Sequence, residues 1–183
     1  MHRLRSGLTL VELLIVLAVL GILAAVTIPN AQPATSEHLR AAADMLSADL
    51  NYARSLAVMG NSSYRVTFDV NQQRYVLTHT GANPGLNVLP TDGFGSSADP
   101  ANQRIGRFDR LPILGMPVEL VKAAVGSATA TNVEYGAMGQ TTAPAETVVW
   151  LAAGQGTHRR WIPVRVDPLV GLARVGNVQS HSP

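Results

Sequence analysis

A continuous apolar run from Leu8 to Ile28, carrying one acid at Glu12, constrains this chain more than any other feature. A helix rises 1.5 Å per residue, so about 20 residues span roughly 30 Å, the thickness of a bilayer's hydrocarbon core. Backbone groups in lipid can bond only to one another, which favours a helix here despite the β-branched residues. His2, Arg3 and Arg5 precede the run, and the next basic residue after it is Arg40. That asymmetry predicts a cytoplasmic Met1 and an exported remainder. A secretory signal peptide has an apolar core of only about 7–15 residues followed by a small-residue cleavage site. Ala24-Ala25-Val26 imitates such a site, but the run is too long and holds an acid. An acid in lipid is costly and calls for a partner.

Beyond the run, 183 residues leave room for one modest domain. The 14 basic and 12 acidic residues give a net charge of +2, too small by itself to imply a nucleic-acid partner. The chain has no cysteine, which excludes disulfides and thiolate metal sites.

Pro29 and Pro33 are predicted to bend or interrupt the helix, which restarts with Thr35 or Ser36 as its cap. Leu39, Ala42, Leu46, Leu50, Ala53 and Ala57 recur at spacings of three and four, widened by Met45 and Leu56. Glu37, Arg40, Asp44, Asp49 and Arg54 fall largely off this stripe. The pattern predicts an amphipathic helix ending at Gly60-Asn61, its stripe covered by a sheet. The period then changes to two. Tyr64 to Asp69 and Arg74 to His79 read as a hairpin around Asn71-Gln72-Gln73. Residues 81–106, rich in Gly, Pro, Asn, Ser and Asp, read as a long loop with little core-forming power. Further strands are predicted at 118–124, 132–135, 147–152, 161–166 and 172–175, with a frayed tail from Asn177.

No catalytic constellation is legible. His2, His38, His79, His158 and His181 are dispersed, and no HExxH, phosphate-loop or Gly-x-Ser-x-Gly pattern occurs. The chain is expected not to be an enzyme and to need no cofactor and no metal. Asp92, Asp99 and Asp109 lack a recognisable calcium-loop spacing. Arg159, Arg160, Arg165 and Arg174, with Trp161 among them, are candidate DNA contacts through charge and stacking. The competing reading of the same residues is a solvated strand edge.

Ser6-Gly7-Leu8-Thr9-Leu10-Val11-Glu12-Leu13-Leu14 resembles the type IV prepilin leader and cleavage motif. The resemblance implies cutting between Gly7 and Leu8 by a prepilin peptidase and N-methylation of Leu8, where most relatives carry phenylalanine. Glu12 becomes the fifth mature residue, the family's acid, for which the α-amine of Leu8 is a partner during assembly. Some major pseudopilins of this kind bind calcium. The segment Leu46 to Ala57, Asn132 to Gly139, and Val164 to Asp167 followed by Gly171 to Val175 resemble the minor pseudopilins GspH and the minor pilins FimT and FimU.

The fold implied is α+β and type IV pilin-like: a long N-terminal helix, transmembrane and then amphipathic, packed on an antiparallel sheet domain. The corresponding division is a leader at 1–7, a transmembrane helix at 8–28, an amphipathic helix at 29–60, a sheet domain at 61–176 and a flexible tail at 177–183. The function implied is that of a minor pseudopilin in a type II secretion filament, exporting protein across the outer membrane. The alternative is a minor pilin acting in pilus assembly or DNA uptake. Expected partners are the prepilin peptidase, other pseudopilins or pilins, the inner membrane and its assembly platform, and DNA under the alternative. The protein is expected in the inner membrane, single-pass, with its N-terminus cytoplasmic and its domain periplasmic.

Overall fold

The computed structural model describes residues 9–26, 32–90, 99–108 and 117–183, with side chains described throughout these except at 21–26 and 32–34. The chain divides into two compact units, Met1–Ala31 and Gln32–Pro183. The first contains helix α1, Leu10–Val26. Its 17 residues rise about 25 Å. Among the described residues no helix is long and apolar enough to cross a membrane. Leu8, Thr27 and Ile28, which complete the predicted span, lie outside the described residues, as does Pro29.

The second unit opens with α2, Gln32–Met59. It already includes Pro33 and Thr35, ahead of the start that the sequence predicts. Thr35 is consequently a buried helical residue and not a cap. The C-terminus closes as a Schellman turn: Ser62 N–H donates to Ala57 C=O at 3.0 Å and Asn61 N–H to Val58 C=O at 3.3 Å. Asn61, with φ of 44°, takes the left-handed position.

Two antiparallel sheets follow. The strands are β1 Tyr64–Asp69, β2 Arg74–His79, β3 Arg104–Arg107, β4 Val118–Val125, β5 Ala128–Ala130, β6 Asn132–Tyr135, β7 Thr147–Ala153, β8 Arg160–Val166 and β9 Ala173–Val175. The first sheet has the order β3-β2-β1-β6 and the second β5-β4-β7-β8-β9. The predicted single sheet region is therefore two sheets sharing one core. Leu39, Ala42, Leu46, Leu50, Ala53 and Ala57 of the predicted stripe are wholly buried. They pack with Val66 and Leu77 of the first sheet and Val149, Leu151, Ile162 and Val164 of the second. Each such leucine contributes about 1.5–3 kcal/mol through removal from water.

The loop predicted at 81–106 does more than its composition suggests. It buries Leu89 and ends in β3, with Gly106 opposite Tyr75. A Cβ on Gly106 would fall 2.0 Å from Tyr75 Cζ, so only glycine lets the ring lie across that strand. The Tyr75 hydroxyl reaches Asp49 Oδ2 at 2.6 Å. Arg104 of β3 donates to Asp49 Oδ1 from Nε at 3.1 Å and from a terminal nitrogen at 2.7 Å. Asp49, read from sequence as lying off the stripe, is thus buried. A carboxylate tolerates this because two partners satisfy it.

Two side-chain amides close open strand edges. Asn51 Oδ1 accepts from Ala173 N–H at 2.9 Å, and its Nδ2 donates to Ala173 C=O at 3.1 Å. Gln73 Oε1 accepts from Leu120 N–H at 2.6 Å, and its Nε2 donates to Leu120 C=O at 3.2 Å, beside a bulge in β4 that β5 does not reach. The tail expected to be frayed runs along β8 instead. Gln179 and Trp161 exchange backbone bonds of 2.8 and 2.9 Å.

Candidate functional site

Gly7 and Leu8 lie outside the described residues; Glu12 stands in the first turn of α1. The Thr9 hydroxyl accepts the Glu12 N–H at 3.2 Å, and Leu13 N–H closes the first helical bond on Thr9 C=O at 3.1 Å. Thr9 is therefore the N-cap and Glu12 the third helical residue, the order of a capping box. The sequence signature of this cap is Thr-x-x-Glu, Thr9 to Glu12. A carboxylate at this position also meets the positive end of the helix dipole. From Leu10 to Leu20 every side chain of α1 is exposed, with Leu10 at 75% and Leu20 at 55%. A helix apolar on all sides suits apolar surroundings.

The four candidate DNA-contact arginines fall into two groups. Arg159 and Arg160 stand at the start of β8. Arg165 lies about 16 Å further along the strand, with Arg174 of β9 directly opposite it. Arg159 donates to Glu119 at 2.6 Å and lies 5.7 Å from the Trp161 ring centre. Arg165 donates to Glu146 at 2.8 Å. Arg160 bonds the carbonyls of Thr157 and Arg159. Acids thus pair with Arg159 and Arg165, while Arg160 and Arg174 have no carboxylate within ion-pair distance among the described residues, so half of the cationic charge that a phosphate backbone would follow is already matched.

Of the candidate calcium acids, Asp92 and Asp109 lie outside the described residues. Asp99 receives two bonds from Arg107, at 2.8 and 3.2 Å. Among the described residues no group of three His, Cys, Asp or Glu side chains is assembled as a metal site.

One contact joins residues distant in the sequence. Ser62 Oγ lies 2.7 Å from His79 Nε2, and Asn87 Oδ1 lies 2.8 Å from His79 Nδ1. Gly81 covers the pair, since a Cβ there would fall 1.9 Å from Ser62 Oγ. The bridge ties the end of α2 to the hairpin and the start of the following loop.

Glu134 of β6 is held by Arg65 at 2.9 Å and by Thr80 at 2.8 Å. Burial pushes its carboxyl up, and these bonds outweigh burial, leaving it below the ordinary glutamate range.

Residues 2–28 match the model of the prokaryotic N-terminal methylation motif. Residues 42–169 match that of the Type II transport protein GspH. No curated protein sequence gives a significant match. Among solved structures, the type IV minor pilin FimU of Pseudomonas aeruginosa is similar at 20% identity, over 76% of this chain and 93% of that one, with a TM-score of 0.44. The minor pseudopilin EpsH from the Type 2 Secretion System of Vibrio cholerae is similar at 15% identity, over 75% of this chain and 95% of that one, with a TM-score of 0.49. The GspH match spans most of the chain and lies behind a matched methylation motif, so this protein belongs to the Type II transport protein GspH family.

Proposed function

We propose that the chain is a minor pseudopilin of a type II secretion filament, with a structural and not a catalytic role in protein export across the outer membrane. The observation that carries this reading is the GspH match at residues 42–169 behind the methylation motif at 2–28. A prepilin peptidase cuts between Gly7 and Leu8 on the cytoplasmic face and leaves the apolar helix attached. Leu8 is then methylated. Before that cut the basic residues ahead of α1 set the N-terminus inside, so the domain stands in the periplasm as a single-pass protein of the inner membrane. During assembly Glu12 meets the Leu8 amine of a neighbouring subunit. Low dielectric strengthens that match and makes it directional.

The test has two arms. Intact-mass analysis of the membrane-extracted protein is expected to show loss of Met1 to Gly7 with one added methyl. A chain beginning after Ala25 overturns the reading. Glu12→Ala is expected to insert and mature while losing cross-links to other filament subunits and lowering secretion. Full secretion with normal cross-links removes the assembly role.

A further inference from the structure

Among the described residues of the Gln32–Pro183 unit, the exposed large apolar side chains are Val58, Met59, Val70, Val88, Met138, Leu169 and Val170. Most of them meet at one end of the domain. The last turn of α2 supplies Val58 and Met59, the turn after β6 supplies Met138, and the turn between β8 and β9 supplies Leu169 and Val170.

Close backbone approach brings these segments together. A Cβ on Gly139 would fall 3.0 Å from Val58 Cγ2 and 3.2 Å from Arg54 Nε, and a Cβ on Gly171 would fall 1.9 Å from the Gly139 oxygen. Arg54 Nε donates to Val170 C=O at 2.7 Å, and Thr141 N–H donates to Pro168 C=O at 2.9 Å. Met138 is 83% and Leu169 84% exposed, too much for side chains serving the core.

Cations flank this apolar end. Arg174 lines a cleft of about 230 Å³ with Glu146, Arg165, Asp167, Val170 and Leu172. Arg165 is neutralised by Glu146, and Asp167 Oδ1 accepts the N–H groups of Leu169 and Val170, both at 2.9 Å. Among the described residues neither Arg54 nor Arg174 has a carboxylate within ion-pair distance.

We propose that this end of the domain docks a different subunit of the same filament, through a face that sets carboxylates against Arg54 and Arg174 and apolar side chains against Met138 and Leu169. The inference rests on the filament-subunit reading above and names the surface by which a neighbour is met. Arg54 and Arg174 outnumber Asp167, the one carboxylate of this face without a cation at ion-pair distance among the described residues, so two copies would set like net charge against like and charge favours a partner of another sequence. Two chains anchored in one membrane already share a high effective concentration, so a weak contact is enough to favour one neighbour over another.

The experiment places a photo-cross-linking residue at Leu169 of the full-length chain in its native cells. Controls sit at Leu14 of α1 and at Val70, which lies at the far end of β1, about 20 Å from the end of α2. The expected product joins Leu169 to another chain carrying a prepilin-type N-terminus, with no such product from Val70. Arg174→Glu and, separately, Met138→Ser are expected to reduce it about tenfold. Both alter exposed side chains, and an unchanged Leu14 product certifies that the variants are folded and assembled. The proposal is overturned by an adduct with a second copy alone, by an equal yield from Val70, or by no adduct at Leu169 while Leu14 still cross-links to filament subunits. Loss of products at every position overturns the filament reading itself.

Discussion

The two helices of this chain deploy their apolar residues in opposite ways. α1 has no polar stripe, and its side chains from Leu10 to Leu20 are exposed on every side. α2 alternates apolar and polar residues at helical spacing and buries Leu39, Leu46 and Leu50 completely. The difference lies in pattern more than in propensity. A stripe selects one face for a sheet to cover, whereas a uniformly apolar surface selects none and takes its surroundings from outside the domain. The chain thus supplies the partners of its second helix.

The largest effect that tests this contrast comes from Asp49→Ala, which removes the buried carboxylate that accepts from both the Tyr75 hydroxyl and Arg104. We expect a loss of about 3–5 kcal/mol in denaturant unfolding of a chain beginning at Gln32. Next come Leu46→Ala and Leu50→Ala at about 2–5 kcal/mol each, while Leu14→Ala in the full-length protein stays within about 0.5 kcal/mol for the same transition. A comparable loss from Leu14→Ala would break the contrast.

The smallest effect is one of pH. Burial, followed by the neighbouring Asp49 charge and its hydrogen bond, raises the Tyr75 phenol well above its ordinary value. The unfolded phenol ionises near pH 10 while the folded one keeps its proton, so this contribution is whole below about pH 10 and declines as pH rises beyond it. Thermal unfolding from pH 8 to 11 should show a steeper decline for the wild type than for Tyr75→Phe.

Periodicity made the helices, the first hairpin and most later strands legible, because burial on one face writes itself into spacing. It did not reveal Asp49 as buried, since its partner Arg104 lies 55 residues away in a segment whose composition reads as loop. β5 was missed because Ala128–Ala130 carries no β-branched or aromatic alternation beyond Thr129. Pro33 reads as a breaker in the sequence, whereas the structure includes it and Thr35 within α2. At the N-terminus the motif was readable as far as Glu12, and Thr9 needed the hydrogen bond to be seen as its cap. The arginines were grouped by nearness in sequence. The acids that pair with Arg159 and Arg165, Glu119 and Glu146, come from other parts of the fold.

The amides of Asn51 and Gln73 matter most when many domains stand close together. An unpaired stretch of strand is a template on which a neighbour's backbone can zip, and crowding raises the frequency of such encounters. At Ala173 and Leu120 the template is already occupied by a side chain of the same molecule. Neighbours at those positions therefore meet side chains and not a ladder, and contact there is governed by residue identity. Such contacts stay reversible and selective at concentrations where an open ladder would seed irreversible stacking.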